Sequence, residues 1–352
     1  MKRKKVSELA KQIRGVSYKP EDLHENLDES SVTLLRANNI FEGRISFDDV
    51  IYVDKSRVAS GSKQLVGKAA SFNFDTECTF GAFCKVVRPN QDVANYLSVY
   101  FQSNAYRQKI SEVAIGANIN NIRNEHIDAL ELPIGSNAEN EEVVASFSSL
   151  QQIIDSRKQQ LHKLDELVKA RFVELFGDPV KNSKRLPTVL GETLFRLSNG
   201  KALPSNERFP EGIPAYGGNG VSWYTDKILC DFDTIIVGRV GFQSGNVHLA
   251  KAPLWVTDNA MYISSLNTEI CDMRFLCALM EHMDFTRYQD AGDLKKITQK
   301  PFMQMHYPMP SMQSQMQYID FSEQIDKSKV AVQKALDEAQ LLFDSLMQKY
   351  FG

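Results

Sequence analysis

The sequence predicts an α+β chain built twice over: two tandem mixed α/β domains, each followed by a long helix, with the two helices as partners. Three observations predict this. The chain has 352 residues, room for two domains of ordinary size with a core each. Segments recur at a fixed offset: Ile122 with Leu132-Pro133 is echoed 175 positions later by Ile297 with Tyr307-Pro308, and LVKARFVELFG (Leu167 to Gly177) by LFDSLMQKYFG (Leu342 to Gly352). Apolar stripes at alternating three- and four-residue steps then stand at the same place in both halves.

Taken in chain order, the expected elements are a strand-rich front domain over 1–142, a spacer helix over 143–179, a second front domain over 180–318 and a second spacer helix over 319–352. The fronts match as well: Val6 to Gly15 resembles Val189 to Gly200, and Gly67 and Ala82 correspond to Gly245 and Ala260 at an offset of 178. Shifting offsets mean insertions and deletions in the loops between shared elements.

In the first helix the seam is Leu150, Ile154, Leu161, Leu164 and Val168; in the second it is Val332, Leu336, Ala339, Phe343 and Leu346, with Ile325 before and Tyr350 after. Because 175 is a multiple of seven, both helices share one heptad phase, which makes them natural partners. Arg157, Arg171 and Lys329 interrupt the stripes, at positions suited to facing a partner protein. Gly177-Asp178-Pro179 is a stop signal, a glycine for a left-handed cap and a proline that cannot continue the helix. Ser136-Asn137 and Pro310-Ser311 are residue types that start helices.

Composition narrows the function. With 43% hydrophobic and 24% charged residues the chain reads as folded throughout. No stretch approaches the roughly 18 apolar residues of a membrane span, and MKRKKVSELA leads into no apolar signal core, so a cytoplasmic protein is expected. Five cysteines, an odd number, suit a reducing compartment. The spacing of Cys78 and Cys84, shared by Cys271 and Cys277, is wider than paired zinc ligands use, so these read as structural thiols. A net charge of −3 weighs against nucleic acid, yet Lys2, Arg3, Lys4, Lys5, Lys11, Arg14 and Lys19 crowd the first twenty positions.

No enzyme is legible. There is no Walker-type loop and no H-E-x-x-H, and YGGNG (Tyr216 to Gly220) lacks the dinucleotide spacing. The six histidines are scattered and none pairs with a nucleophile. No catalytic residue, metal ligand or bound cofactor is therefore expected on this chain.

Two similar modules on a stiff spacer suit a ligand that repeats along a line. A helix of about 27 residues is about 40 Å long at roughly 1.5 Å per residue, close to the roughly 34 to 36 Å of one DNA turn. The front domains also carry residue types that read base edges or hold phosphates. The first offers Arg14, Tyr18, Lys19, Arg36, Asn38, Asn39, Lys63 and Lys68. The second offers Lys201, Asn219, Trp223, Tyr224, Arg239, Gln243 and Asn246, with Lys295 and Lys296 later. Polar glycine-rich loops are also simply loops, so the set carries more than any member.

The two halves, the in-phase helices, the segment PMPSMQSQ (Pro308 to Gln315) and the ending DSLMQKYFG (Asp344 to Gly352) resemble the specificity subunits of type I restriction-modification enzymes, over nearly the whole chain. The resemblance implies that each front is a target-recognition domain reading one half of a split double-stranded DNA site. It implies that the helices form an antiparallel coiled coil setting the gap. It also implies two docked methyltransferase subunits that methylate adenine with S-adenosylmethionine, and restriction subunits driven by ATP with Mg, none of these cofactors bound by this chain. An alternative is a coiled-coil adaptor presenting two protein-interaction domains without DNA reading. The sequence departs from the family at PIGSNAEN (Pro133 to Asn140), and again between VIYVDKSRVA and SGSKQLVGKAA. There no apolar strand matches DFDTIIVGRVGF of the second half; either Val50 to Val53 does that work or a strand is missing.

Overall fold

A computed structural model describes residues 2–41, 44–57, 69–70, 77–81, 84–115, 123–241, 244–283, 285–290 and 295–352. The first half runs β1 (Lys2–Lys5), β2 (Ala10–Arg14), β3 (Ser31–Leu35), β4 (Ile51–Asp54), β5 (Cys78–Phe80), β6 (Lys85–Pro89), α1 (Ala94–Gln102), β7 (Glu131–Ile134) and the long helix α2 (Asn137–Phe176). The second runs β8 (Thr188–Leu190), β9 (Phe195–Asn199), β10 (Ile213–Gly217), β11 (Gly220–Thr225), β12 (Thr234–Gly238), β13 (Val247–Ala250), β14 (Trp255–Val256), β15 (Ala260–Leu266), α3 (Met273–Glu281), β16 (His306–Pro308) and the long helix α4 (Met312–Phe351).

Strand pairing repeats along with the order. β1 pairs antiparallel with β7 as β8 does with β16, and β2 with β6 as β9 does with β15. β3 takes β4 antiparallel and β5 parallel, as β10 takes β11 and β14. β12 and β13 are additional in the second half, where β12 bridges β15 and β13. Val50 to Val53 therefore does not stand in for β12. Ile51–Asp54 lies against β3 as β11 lies against β10, and no counterpart of β12 occurs among the described residues.

The chain divides into two compact units, and the division cuts both long helices. The first unit is Met1–Lys158 with Gln333–Gly352; the second is Gln159–Val332. Each unit thus holds one front domain, one end of α2 and the opposite end of α4. In the first, the start of α2 meets the end of α4: the Phe147 ring lies 5.2 Å from Phe343 and 6.1 Å from Phe351. In the second, the end of α2 meets the start of α4, with Phe172 at 5.4 Å and Phe176 at 5.9 Å from Tyr318. The helices run antiparallel in both.

The repeated helix endings therefore cross over. Phe176 closes the helix that follows the first front yet is buried in the second unit's core with Phe275, Leu194 and Ile263. Phe351 closes the helix that follows the second front and is buried with Tyr96, Tyr100, Leu132 and Phe147 in the first. Burial of large aromatic rings stabilises both ends.

Both helices are 40 residues long, about 60 Å at ~1.5 Å per residue, and they begin at Asn137 and Met312, ahead of the expected starts at 143 and 319. At their ends the helices sink into the cores, where Val143, Phe147 and Phe172 extend the apolar face past Leu150 and Val168. Along the seam Leu150, Ile154, Val332 and Ala339 are buried, while Leu161, Leu164, Val168, Leu336, Phe343 and Leu346 are half-buried, since two helices alone cover a seam incompletely. Two of the interruptions are absorbed within the second unit. Lys329 Nζ lies 2.7 Å from Asp165 and 3.3 Å from Asp326. Arg171 reaches Glu174 at 2.8 Å, and its guanidinium lies 5.7 Å above Phe321. Arg157 is half-buried.

The helix starts use side-chain caps. Ser136 N donates to Glu139 Oε2 at 2.7 Å while Glu139 N donates to Ser136 Oγ at 3.4 Å, a reciprocal capping box. At the equivalent place Ser314 N donates to Ser311 Oγ at 3.3 Å. Gly177 takes φ +74 after α2, the left-handed stop its sequence signalled. Just inside α4, Gln315 is fully buried; its Nε2 donates to the Ile270 and Pro310 carbonyls and its Oε1 accepts from Asp272 N. Asn140, 175 positions earlier, is buried against Gly135 in the same way. Gln315→Leu strands three backbone groups, the Pro310 carbonyl buried and the Ile270 carbonyl and Asp272 N half-buried, and about 1–3 kcal/mol of stability should be lost. Calorimetry should show one melting transition lowered, and an unchanged thermogram would refute the assignment.

Candidate nucleic-acid interface

In the second unit, backbone hydrogen bonds lock five segments together. Thr257 N donates to the Tyr216 carbonyl at 2.8 Å, Lys201 N to Val256 at 2.8 Å and Arg239 N to Asn259 at 2.9 Å. Gly241 N donates to Lys295 at 2.8 Å and Ile297 N to Arg239 at 2.9 Å. The β10–β11 hairpin turns through Gly218-Asn219, with Gly217 paired to Gly220 and Gly220 at φ +97. A methyl group on Gly218 would sit 3.3 Å from Gly238 Cα and 3.6 Å from the Val240 carbonyl, so this turn packs on the β12–β13 loop. Glycine permits that approach.

The locked segments bring together Lys201, Asn219, Arg239 and Asn246 with Lys295 and Lys296. Lys201, Asn219, Asn246 and Lys296 are exposed, Arg239 and Lys295 half-buried. Arg239 spends only Nη1, at 3.4 Å from the Asp258 carbonyl. Among the described residues the four side chains of Lys201, Lys295, Lys296 and the neighbouring exposed Lys300 have no ion pair. Such an edge offers hydrogen-bond donors and positive charge on a backbone that needs little reordering, which suits a rigid polyanion.

Trp223 and Tyr224 belong to the body of the β11 strand. Trp223 is 48% exposed and lies under the Arg208 guanidinium at 5.5 Å; Arg208 is itself held by the Leu203 carbonyl at 2.8 and 3.0 Å. Tyr224 is half-buried, its backbone exchanging hydrogen bonds with Phe209. Sequence reasoning missed Arg208, whose approach to Trp223 depends on that bridge between distant segments. It also missed Asn259, whose carbonyl positions Arg239.

The first unit does not bring its candidates together in this way. Lys63, Lys68 and, in the second unit, Gln243 lie outside the described residues. Arg14 ends β2 opposite Lys85. Tyr18 packs against Val16, Val32, Leu34 and Val53. Lys19 is 3.4 Å from Glu21. Arg36 Nη2 donates to the Asp49 carbonyl at 2.7 Å and its carboxylate at 3.1 Å, and Asn38 Nδ2 reaches the same carboxylate at 3.3 Å. Asn39 is 1% exposed, donating to the Asp48 carbonyl at 2.9 Å and accepting from Arg36 N at 2.8 Å. Its amide braces this loop out of reach of a base edge, because both polar ends are spent on backbone.

All five cysteines are free thiols, three buried and two half-buried. Burial pushes Cys84 and Cys230 up to about 11 and Cys271 to about 12, so these thiols stay protonated. Among the described residues no group of three or more His, Cys, Asp or Glu could hold a metal ion. No helix among them is long and apolar enough to cross a membrane.

Comparison with known proteins places these features. The family model of the type I restriction modification DNA specificity domain matches residues 1–166 and 191–339. The specificity subunit of the type I restriction enzyme StySPI from Salmonella potsdam is 36% identical over 180 residues, 47% of this chain. That of EcoKI from Escherichia coli is 34% identical over the same length. The chain matches 39% of the length of each of these two relatives. In fold, it is similar to the crystal structure of a type I restriction-modification system S subunit from M. genitalium, with a TM-score of 0.59 at 16% identity, over 100% of this chain and 96% of that one.

Proposed function

This chain belongs to the type I restriction modification DNA specificity domain family, and from that premise we propose that it recognises a bipartite DNA sequence. Each front domain reads one half-site, and α2 with α4 sets the unread gap. The chain itself is non-catalytic. Its helices dock two methyltransferase subunits that methylate adenine with S-adenosylmethionine, and ATP-driven, Mg-dependent restriction subunits join that core in the cytoplasm.

The observation that carries this reading is the locked edge of the second unit, whose backbone-bonded segments carry Lys201, Asn219, Arg239, Asn246, Lys295 and Lys296. Arginine and asparagine make bidentate contacts to guanine and adenine edges, while lysines hold phosphates as point charges. The spacer agrees in scale. Along α2 Phe172 follows Phe147 by 25 residue steps (172 − 147), about 37 Å of helix at ~1.5 Å per residue, against about 34 to 36 Å for a DNA turn. For protein partners, Ile153, Leu341 and Leu342 of the first unit and Leu167 and Val330 of the second are apolar side chains left exposed on the long helices.

Co-expression with the methyltransferase subunits, followed by sequencing of modified bases, should find methyladenine in one bipartite motif. Arg239→Ala should relax one position in a single half-site, losing about 1–3 kcal/mol of discrimination there. Absence of any bipartite motif, with the complex assembled, would favour the adaptor reading.

A further inference from the structure

The locked edge supplies the second unit with unpaired cations, whereas the first unit's described reading candidates are largely neutralised by Glu21 and Asp49. Its positive charge lies elsewhere. β1 is Lys2-Arg3-Lys4-Lys5, and all four residues are exposed. It forms a two-stranded ribbon with β7 in the register Lys2 to Ile134 through Lys5 to Glu131. β7 turns Leu132 and Ile134 into the core, so β1 is the outer strand. Lys109 Nζ, 3.4 Å from the Glu131 carbonyl, adds a fifth cation beside it. On the neighbouring ribbon Lys11 stands directly opposite Arg88, a like-charge pair across strands that is unfavourable unless an anion lies over it. Carboxylates near this group include Glu8, which caps Lys5 N at 2.9 Å, Glu131 opposite Lys5, and Glu139, which feels the charge of the N-terminus beside Lys2. Among the described residues, Lys2, Arg3, Lys4, Lys5, Lys11 and Arg88 have no ion pair.

Lysines also protect strand edges from pairing with other chains. The equivalent outer strand of the second unit argues that more is at work, because β8 occupies the same place as Thr188-Val189-Leu190 without a charge. Four adjacent cations occur only in the unit whose described reading loops lack free ones.

We propose that β1, with Lys109, Lys11 and Arg88, is a phosphate-binding surface for duplex DNA, supplying sequence-independent affinity to the first unit. The proposal rests on the DNA reading above and adds a division of labour to it. Lys2 to Lys5 neutralise backbone phosphates and read no base, so they set how strongly the first unit grips the duplex and leave its half-site unchanged.

The test is the salt dependence of binding of the full chain to a mixed-sequence duplex, by fluorescence anisotropy, for wild type and the quadruple variant Lys2→Gln, Arg3→Gln, Lys4→Gln, Lys5→Gln. Each phosphate contact contributes about 0.9 to the slope of log K against log salt, so the variant's slope should be shallower by about 2 to 4. The charge-preserving variant Lys2→Arg, Lys4→Arg, Lys5→Arg should keep the wild-type slope, which separates lost charge from a disturbed ribbon. Salt-dependent binding by wild type with an unchanged slope in the quadruple variant overturns this proposal and leaves the DNA reading standing. No binding by wild type at any salt overturns both. A quadruple variant that keeps its slope but no longer assembles with the methyltransferase assigns the strand to an acidic protein face and overturns it too.

Discussion

Replacing Phe351 with alanine is expected to cost the first unit about 3–5 kcal/mol, the range for removing a fully buried aromatic ring. The ring is 0% exposed, with Tyr96 at 5.4 Å, Tyr100 at 5.7 Å and Phe147 at 6.1 Å between centroids. It is also the last aromatic contact holding α4 to that unit, so the loss includes the helix end as well as the cavity. For a unit of this size each kcal/mol lowers the melting temperature by about 2–4 °C, giving a fall of about 6–20 °C in one transition. The second unit, which holds none of these rings, should melt where it did. Leu342→Ala, at a side chain 51% exposed, is the control and should leave both transitions in place. If Phe351→Ala also leaves them in place, the helix end is not what closes the first core.

The second large effect concerns the spacer. The boundary between the units crosses α2 at Lys158/Gln159 and α4 at Val332/Gln333. Adding one heptad to both helices at those points keeps the seam in phase and adds about 10 Å at ~1.5 Å per residue, or about three base pairs at roughly 3.4 Å each. The methylated motif should then keep both half-sites and widen its gap by about three. Three base pairs also turn the second half-site by about a third of a turn, since a turn holds about 10 to 10.5, so methylation should be slower than in wild type. A motif whose gap is unchanged would show that the helices are not the ruler.

Much of the fold was legible because its signals are periodic. The offset of 175, the shared heptad phase and the stop at Gly177 are properties of residues near one another in the chain, where burial follows a fixed repeat. The starts of the helices were less legible, since the first turns from Asn137 and Met312 precede the apolar stripes. The site was legible as a composition of loops and not as an arrangement. The segments carrying Lys201, Arg239 and Asn246 are joined by backbone hydrogen bonds, whereas Arg36 and Asn39 look equally suited on paper and are tied to Asp48 and Asp49.

By itself, then, the sequence determined that this protein is a duplicated α+β chain with two in-phase spacer helices and residue types suited to DNA. Only the tertiary structure decided which helix end enters which core, sending Phe176 to the second unit and Phe351 to the first. It also decided which polar side chains stay free. Both choices depend on partners distant in the chain: a ring is buried by whatever core will admit it, and a donor is spent on whichever carbonyl or carboxylate the fold brings within reach.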